Sequence, residues 1–205
     1  MHSDIIGVIL AGGKSRRMGV DKSLLKINDR FVIEIITDLM KNIFENVIII
    51  SNKSDYFEFL GLNIFPDIYK NKGPLAGIHS GLINSKNEKI FVISCDVPLM
   101  TKEIIDFIIN YKSEKFVKVA KADGYIQQLC GLYSKYCIEQ VEKILNDEIM
   151  SDVKKCSVLK LIESTESEII DIEKHNVLKG SEFLNMNTME DFEAVKRKFN
   201  LKVNE

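Results

Sequence analysis

The apolar residues of the first hundred positions form two kinds of pattern. Continuous β-branched runs, typical of strands buried on both faces of a parallel sheet, occupy residues 5–11, 47–51 and 90–95. Between them, residues 31–44 carry apolar side chains at helical spacing, and residues 75–83 do so more weakly. The order strand, helix, strand, helix, strand predicts an α/β fold with a mostly parallel sheet and right-handed crossovers.

The second half of the chain adds shorter elements. Residues 116–120 and 127–133 have strand character and flank Asp123-Gly124, a turn signal. Thr101 and Thr188 precede helical patterns as candidate N-caps. Residues 151–179 are rich in charged and small polar side chains, so we expect a mobile region or lid there. The whole pattern predicts a single three-layer α/β/α domain over residues 1–205, with a Rossmann-like sheet and an added antiparallel portion.

Composition narrows the class of protein. A chain of 205 residues with 45% hydrophobic and 28% charged residues can bury a core without disulfides or structural metal. The net charge of -2 argues against nucleic acid as a partner. The apolar run at residues 5–11 is too short for a signal peptide or a membrane span, so we expect a cytoplasmic protein with no membrane partner. The cysteines show no C-x-x-C spacing and are expected to be buried, reduced thiols: Cys95, Cys130, Cys137 and Cys156.

The loop after the first strand carries the clearest chemistry. Gly12-Gly13 allows close backbone approach and positive φ, and four cations follow within the next nine residues: Lys14, Arg16, Arg17 and Lys22. Backbone N–H groups together with cations suit a triphosphate. A tight strand-to-helix turn with a solvated basic face is the alternative interpretation.

Two common phosphate motifs are excluded by spacing. A Walker A loop ending in Gly13-Lys14-Ser15 requires a glycine where this chain has Val8. The G-x-G-x-x-G dinucleotide motif fails because Gly12 and Gly13 are adjacent. The loop therefore belongs to another class of nucleotide site.

Four motifs occur in order along the chain. The first is L-A-G-G-x-S-x-R-M-G-x-D-K over residues 10–22. The others are G-P-L-A-G-I at residues 73–78, C-D-V-P at residues 95–98 and F-L-N-M-N-T at residues 183–188. They span nearly the whole chain, and together they resemble the signature of the GT-A-like nucleotidyltransferases, specifically of the molybdenum cofactor guanylyltransferase family.

The resemblance implies an Mg²⁺-dependent transfer of GMP from GTP to the phosphate of Mo-molybdopterin, with release of pyrophosphate. It implies a nucleotide- and metal-binding half at residues 1–100 and an acceptor-binding half at residues 101–205. Transient contact with molybdoenzymes or their chaperones is a further expectation. The residues that match the nucleotide site are Leu10, Ala11, Gly12, Gly13, Lys22, Asp67 and Asp96, with Lys22, Arg16 and Asp96 as the catalytic group. We expect Lys22 at the α-phosphate and Arg16 near the β- and γ-phosphates.

Two aspartates can also be argued from their own chemistry. Asp96 directly follows a buried strand, where a carboxylate can hold Mg²⁺ against phosphate oxygens; a turn cap before Pro98 is the alternative. Asp67 can accept hydrogen bonds from the N1–H and amino group of guanine, or it is an exposed turn residue. The family also uses the loop at Asn52, but its nucleotide-contacting asparagine aligns with Ile50, so only a backbone contribution is expected there.

Fewer residues of the sequence indicate the acceptor-binding site than indicate the nucleotide site. Asn185 and Asn187 are candidate ligands of the metal or acceptor, and asparagines in turns are the alternative. The segment Gln127 to Tyr133 resembles the family pattern Q-P-L-C-x-x-Y, except that this chain has Gln128 in place of the proline. Where the family has an arginine-rich stretch near the pterin phosphate, this chain has only Lys154 and Lys155. Three other functions therefore stay open: a molybdopterin cytidylyltransferase, a sugar-1-phosphate nucleotidylyltransferase, and a non-catalytic nucleotide-binding adaptor.

Overall fold

The computed structural model describes residues 1–12, 21–147, 157–178 and 180–203. The strands of this part of the chain are β1 (His2–Leu10), β2 (Lys26–Ile27), β3 (Arg30–Phe31), β4 (Phe44–Ile50), β5 (Asn63–Phe65), β6 (Lys89–Ser94), β7 (Val117–Ala122), β8 (Tyr125–Ser134) and β9 (Ser167–Asp171). The α-helices are α1 (Val32–Lys41), α2 (Pro74–Asn84), α3 (Lys102–Asn110), α4 (Ile138–Asn146), α5 (Val158–Ser164) and α6 (Met189–Val203).

Seven strands form one sheet in the order β5-β4-β1-β6-β8-β7-β9, and β2 and β3 form a separate ribbon. The pairs β5–β4, β4–β1 and β1–β6 are parallel, whereas β8 runs antiparallel to both β6 and β7. The β7–β8 turn places Asp123 and Gly124 at φ 52° and 78°, as its sequence predicts. The expected mostly parallel sheet with an added antiparallel portion is confirmed.

Helices cover both faces of the sheet because buried strand residues alternate between the two sides. Ile5 and Ile9 of β1 point into a core shared with α1 and α3. Val8 and Leu10 point into a second core shared with α2, α4 and α5. The predicted three-layer α/β/α arrangement is therefore confirmed. One sheet contains strands from both halves of the chain, while the division into nucleotide and acceptor halves stays a prediction.

Close packing fixes β1 at the centre of the sheet. A Cβ added at Gly7 would lie 2.8 Å from Phe44 Cδ2 and 2.9 Å from Met40 Cε, so only glycine lets β4 and α1 approach this closely. The ring of Phe44 stacks against Phe91 of β6 with centroids 5.8 Å apart. The strand that delivers the glycine loop is thus supported by its neighbours on both sides.

The lid prediction for residues 151–179 is wrong over the described residues 157–178. This stretch forms α5 and β9, and β9 pairs in parallel with β7. The apolar stretches are short because about one turn of α5 is enough to anchor it to the core, through the buried residues Val158, Leu161 and Ile162. Ile170 of β9 is buried on the other face of the sheet. The charged residues lie on the outer sides of these elements, which is why composition alone misled.

The two predicted helix caps differ. Thr188 Oγ1 accepts from Asp191 N at 3.1 Å, while Asp191 Oδ2 accepts from Thr188 N at 2.8 Å, which is a reciprocal capping box. Thr101 occupies the N-cap position of α3 but makes no side-chain cap hydrogen bond. The first cap is confirmed, and the second is correct in position only.

Two expectations about the whole chain can be compared with the described residues. None of their helices has the length and apolar character needed to cross a membrane. Cys95, Cys130 and Cys137 are buried free thiols, as predicted, and Cys156 lies outside the described residues. Burial raises the pKa of Cys130 to about 12 and that of Cys137 to about 11, so these thiols are not nucleophiles at neutral pH.

Candidate active site

The carboxyl ends of β4, β1 and β6 lie side by side at one edge of the sheet. Leu10 pairs with Ile50 on one side and with Ser94 on the other. Ala11 N–H donates to Ile50 O at 3.0 Å, and Cys95 N–H donates to Leu10 O at 3.3 Å. The loops that follow these strands therefore start from adjacent points, at the edge where α/β sheets bind ligands.

Gly12 begins the glycine loop in open space. It is exposed, and a Cβ added there would meet no atom of residues 1–12 or of the other described residues within 4 Å. Its φ is not positive, so the conformational freedom of glycine is not used at this position. The space above Gly12 instead leaves room for a ligand to approach the backbone. Gly13 and Arg16 lie outside the described residues.

Lys22 is joined to the segment that precedes α6. It begins a short 3-10 turn, Lys22–Leu24, and its Nζ donates to Asn187 Oδ1 at 2.8 Å across 165 positions of sequence. Next to Asn187, Met186 N–H donates to Asp96 O at 3.0 Å. The C-terminal segment thus crosses the ends of β1 and β6 and brings its two asparagines to the edge.

Asp96 presents a buried carboxylate oxygen that has no partner among the described residues. Its Oδ1 is buried and accepts no hydrogen bond from the described residues. A buried bare carboxylate oxygen is costly unless a cation or donor satisfies it. The described residues contain no group of three or more metal-ligating His, Cys, Asp or Glu side chains. A single carboxylate still fits Mg²⁺, which prefers one or two carboxylates completed by phosphate and water oxygens.

Asp67 forms a reciprocal pair with Asn52. Asn52 Nδ2 donates to Asp67 Oδ2 at 2.7 Å, and Asp67 N–H donates to Asn52 Oδ1 at 3.1 Å. Partial burial raises the pKa of the Asp67 carboxyl above its ordinary value, and the hydrogen bond from Asn52 acts in the opposite direction. The side chain of Asn52 thus contacts Asp67, while the expected backbone contribution of the Asn52 loop to nucleotide binding stays a prediction.

Helix α2 holds Asp67 beside the glycine loop. Ser80 Oγ accepts from Ile68 N–H at 2.9 Å, which ties the Asp67 loop to the helix. A Cβ added at Gly77 would lie 3.1 Å from Leu10 Cδ2 and 3.7 Å from Asp67 Oδ1. The absence of a side chain at Gly77 therefore brings the helix onto Leu10 and leaves room around the carboxylate.

A cavity of about 350 Å³ continues from Asp96 toward β8. It joins residues of the two predicted halves of the chain, and Asp96 and Asn185 both belong to its wall. The lining residues are Pro74, Ser94, Asp96, Val97, Ile126, Gln127, Gln128, Leu129, Cys130, Ser157, Val158, Phe183 and Asn185. The size and mixed polarity of this cavity suit a small organic ligand.

An irregularity in β8 shapes this cavity. The register of β7 with β8 shifts after Val119 pairs with Gly131, because Ala120 pairs with Gln127. The intervening residues bulge toward the cavity, and the buried Tyr133 hydroxyl donates to Gln128 O within the bulge. A Cβ added at Gly131 would lie only 2.5 Å from the backbone carbonyl oxygen of Lys118 in β7. The glycine and the tyrosine thus support the bulged residues that line the cavity.

The structure brings most of the predicted site residues to one edge of the sheet: Leu10, Ala11, Gly12, Lys22, Asp67, Asp96, Asn185 and Asn187. Lys154 and Lys155 lie outside the described residues. Sequence reasoning missed the side chains of Asn52 and Lys53, and it missed Ser157 and Phe183 in the cavity wall. A polar pair directly after a buried strand was the available signal for the first two. Phe183 begins the motif at residues 183–188 but was given no role, and nothing local marked Ser157.

The comparisons with known proteins agree with this geometry. The model of the MobA-like NTP transferase domain family matches residues 7–162, about three quarters of the chain. The chain belongs to this family. The match covers the glycine loop, both aspartate loops and the cavity strand of the transferase, so the resemblance predicted from four motifs is confirmed.

Curated relatives of the transferase carry a consistent name. A probable molybdenum cofactor guanylyltransferase of Clostridium perfringens strain SM101 is 37% identical over 93% of this chain and 95% of the relative. One from Carboxydothermus hydrogenoformans is 33% identical over 95% of this chain and 96% of its own.

Solved structures share the fold of the transferase. A crystal structure of an Aquifex aeolicus VF5 protein is 30% identical, with a TM-score of 0.74 over 91% of this chain and 95% of that one. Molybdopterin-guanine dinucleotide biosynthesis protein A of Archaeoglobus fulgidus superposes with a TM-score of 0.80 at 19% identity, covering 96% of this chain and 99% of that one. The predicted α/β nucleotidyltransferase fold is confirmed.

Proposed function

We propose that this transferase moves GMP from GTP to the phosphate of Mo-molybdopterin and releases pyrophosphate. The observation that carries the proposal is the meeting of Lys22, Asp96 and Asn187 at the sheet edge, directly beside a cavity that can hold a second substrate. The names of the curated relatives support guanine as the donor base and the molybdenum cofactor as the acceptor.

The chemistry needs charge neutralisation more than proton transfer. The acceptor phosphate is already an anion, so it can attack the α-phosphorus of GTP in line without a strong general base. Lys22 is half-buried, and its ammonium retains donors beyond its exposed bond to Asn187, which allows it to stabilise the α-phosphate as negative charge builds up. Holding donor and acceptor at one edge supplies the remaining advantage through proximity.

Asp96 is the residue that would hold Mg²⁺. Its buried Oδ1, which has no partner in the described part of the chain, lies where β6 ends, beside the cavity. Bound there, Mg²⁺ would neutralise phosphate charge and orient the oxygens around the reacting phosphorus. Asn185 shares the cavity wall with Asp96 and offers a neutral amide to the metal shell or to the acceptor.

Asp67 is the candidate reader of the base. One carboxylate oxygen is engaged by Asn52, and the carboxylate retains acceptor sites for the N1–H and amino group of guanine. Cytosine and uracil do not offer this pair of adjacent donors. Asp67 thus supports GTP over CTP as the donor.

The cavity is the proposed acceptor site. Gln127, Gln128 and Asn185 provide amides that can both donate and accept, which matches the mixed donor and acceptor edge of a pterin. Lys154 and Lys155 remain the proposed contacts of the acceptor phosphate. We place the enzyme in the cytoplasm, supported by its three buried free thiols, and its contacts with molybdoenzymes or their chaperones remain proposed.

Thermal shifts with GTP, CTP, ATP and UTP in Mg²⁺ test the donor assignment. A ligand at 100 times its Kd stabilises the folded state by about 2.7 kcal/mol. GTP is expected to give the largest shift and to lose part of it when EDTA removes the metal. A larger shift with CTP would favour a cytidylyltransferase. Binding of GTP without pyrophosphate release in the presence of the true acceptor would favour the adaptor function.

A further inference from the structure

The loop that follows β4 connects two parts of the nucleotide site that are distant in sequence. This β4 loop consists of Ser51, Asn52 and Lys53. Its first residue is buried and donates its N–H to Phe65 O at 2.9 Å, and Ser51 Oγ accepts from Lys53 N–H at 3.1 Å. The backbone of the loop is therefore fixed, and its next two side chains point to different aspartates, Asp67 and Asp21.

We propose that Asn52 and Lys53 are positioning residues of the donor site, Asn52 for the guanine-reading carboxylate of Asp67 and Lys53, through Asp21, for Lys22. The proposal rests on the proposed function, because it takes Asp67 and Lys22 as nucleotide contacts. It deepens that function by assigning positioning roles to two side chains that contact Asp67 and Asp21.

The Asn52 arm of the proposal is the contact of Asn52 with Asp67, in which two hydrogen bonds hold Asp67. Asn52 binds Asp67 Oδ2 with its amide nitrogen and binds the Asp67 backbone N–H with its amide oxygen. These two bonds orient the plane of the carboxylate relative to its own backbone. The bond from Asn52 also favours the ionised form, against partial burial that raises the pKa of Asp67. Guanine recognition needs both the fixed plane and the ionised form.

The Lys53 arm of the proposal is the contact of Lys53 with Asp21, the residue before Lys22. Asp21 Oδ1 caps the Lys22–Leu24 turn by accepting from Ser23 N–H at 3.2 Å and from Ser23 Oγ at 2.6 Å. Lys53 Nζ holds the other carboxylate oxygen at 3.0 Å. Burial opposes ionisation of Asp21, but the bonds from Ser23 and Lys53 outweigh it and its pKa lies below the ordinary value.

The solvent exposure of Lys53 distinguishes a positioning role from a contribution to the stability of the protein. Lys53 is 51% exposed, and exposed ion pairs contribute little to the free energy of unfolding. The turn that Asp21 caps begins at Lys22, so a change in the Asp21 carboxylate rotates the start of that side chain. We therefore expect loss of Lys53 to affect turnover much more than folding.

Discrimination between GTP and ITP tests the Asn52 arm, because inosine lacks the 2-amino group that Asp67 is assigned to read. Asn52→Ala is expected to weaken GTP binding about 10-fold and to lower the ratio of GTP to ITP affinity toward one. Asn110→Ala is the matched control, since Asn110 Nδ2 donates to Asp106 O at a surface site on α3. A ratio that stays at the wild-type value while binding weakens would overturn this arm. A wild-type enzyme that does not prefer GTP over CTP would instead overturn the proposed function.

A double-mutant cycle tests the Lys53 arm. Lys53→Met and Asp21→Asn should each lower kcat about 10-fold with little change in the KM for GTP, and the double variant should be no worse than either single variant. Lys53→Arg should restore most of the turnover. Lys41→Met is the control, because Lys41 donates to Leu60 O away from the edge. Losses that multiply in the double variant would show that Lys53 contacts the nucleotide directly and would overturn the arm, and so would a fall in Tm that accounts for the lost activity.

Discussion

Replacing Asp96 by asparagine should separate the function of this residue from the stability of the protein. Asp96→Asn keeps the shape of the side chain and removes its negative charge. Because Oδ1 is buried without a partner among the described residues, the charge is a cost to the free protein. An enzyme that keeps such a group trades stability for metal binding.

The magnitude follows from the cost of an unsatisfied buried group, about 1–3 kcal/mol and more when the group is charged. Asparagine leaves a neutral oxygen or nitrogen in the same place, so only part of this cost is relieved. We expect the free energy of unfolding to stay unchanged or rise by up to about 1 kcal/mol, which for a domain of this size raises Tm by about 2–4 °C.

The stability that the protein gains from Mg²⁺ should decrease in the same variant. Wild-type protein with Mg²⁺ and a non-hydrolysable GTP analogue gains stability by mass action, and Asp96→Asn should lose the Mg²⁺-dependent part of this gain. Turnover should fall about 10²- to 10³-fold, as for loss of one strong electrostatic contact in a transition state. Urea denaturation without metal, thermal shifts with metal and pyrophosphate release measure the three effects.

An exposed carboxylate provides the control. Asp4→Asn removes an equal charge from an exposed position on β1 and should leave all three quantities unchanged. The reasoning is refuted if Asp96→Asn unfolds or loses more than about 2 kcal/mol without metal, because that magnitude belongs to a structural turn cap. It is refuted equally if the variant turns over at the wild-type rate in Mg²⁺.

Three further predictions follow from the same geometry. Lys22→Ala should lower turnover about 10²-fold or more with little change in Tm, since the hydrogen bond of Lys22 to Asn187 is exposed; activity within a few-fold of wild type contradicts its role. Gly131→Ala should cost about 1–3 kcal/mol in urea denaturation because its Cβ would meet a backbone oxygen at 2.5 Å, whereas Gly81→Ala meets only side-chain ends and should be near neutral. The raised pKa of Asp67 means that its carboxyl gains a proton at higher pH than an ordinary aspartate, so GTP affinity should fall as pH drops toward that pKa, and Asp67→Asn should abolish this dependence.

The sheet and its edge could be predicted because their pattern is local. A continuous apolar run such as residues 5–11 excludes a half-exposed strand, and the loops after parallel strands must lie at one edge. That argument alone places Gly12, Asn52 and Asp96 near one another. The structure agrees, and it places Lys22 there through Asn187 as well.

The remainder depends on contacts between distant parts of the chain. Nothing near Asn52 in sequence indicates that its partner is Asp67, because the pairing requires β4 and β5 to be neighbours first. The cavity wall has the same origin: the bulge of β8 is set by Gly131 against β7, and Phe183 arrives from the C-terminal segment. Residues 157–178 were misjudged because short buried stretches in a polar sequence have weak periodicity.

Pyrophosphate release from GTP, measured with and without Mo-molybdopterin, tests the central claim most directly. We expect pyrophosphate release that requires the acceptor, requires Mg²⁺ and is faster with GTP than with CTP at equal concentration, with a product that contains GMP joined to the acceptor phosphate. No release in the presence of the acceptor, or faster release from CTP, would contradict this expectation.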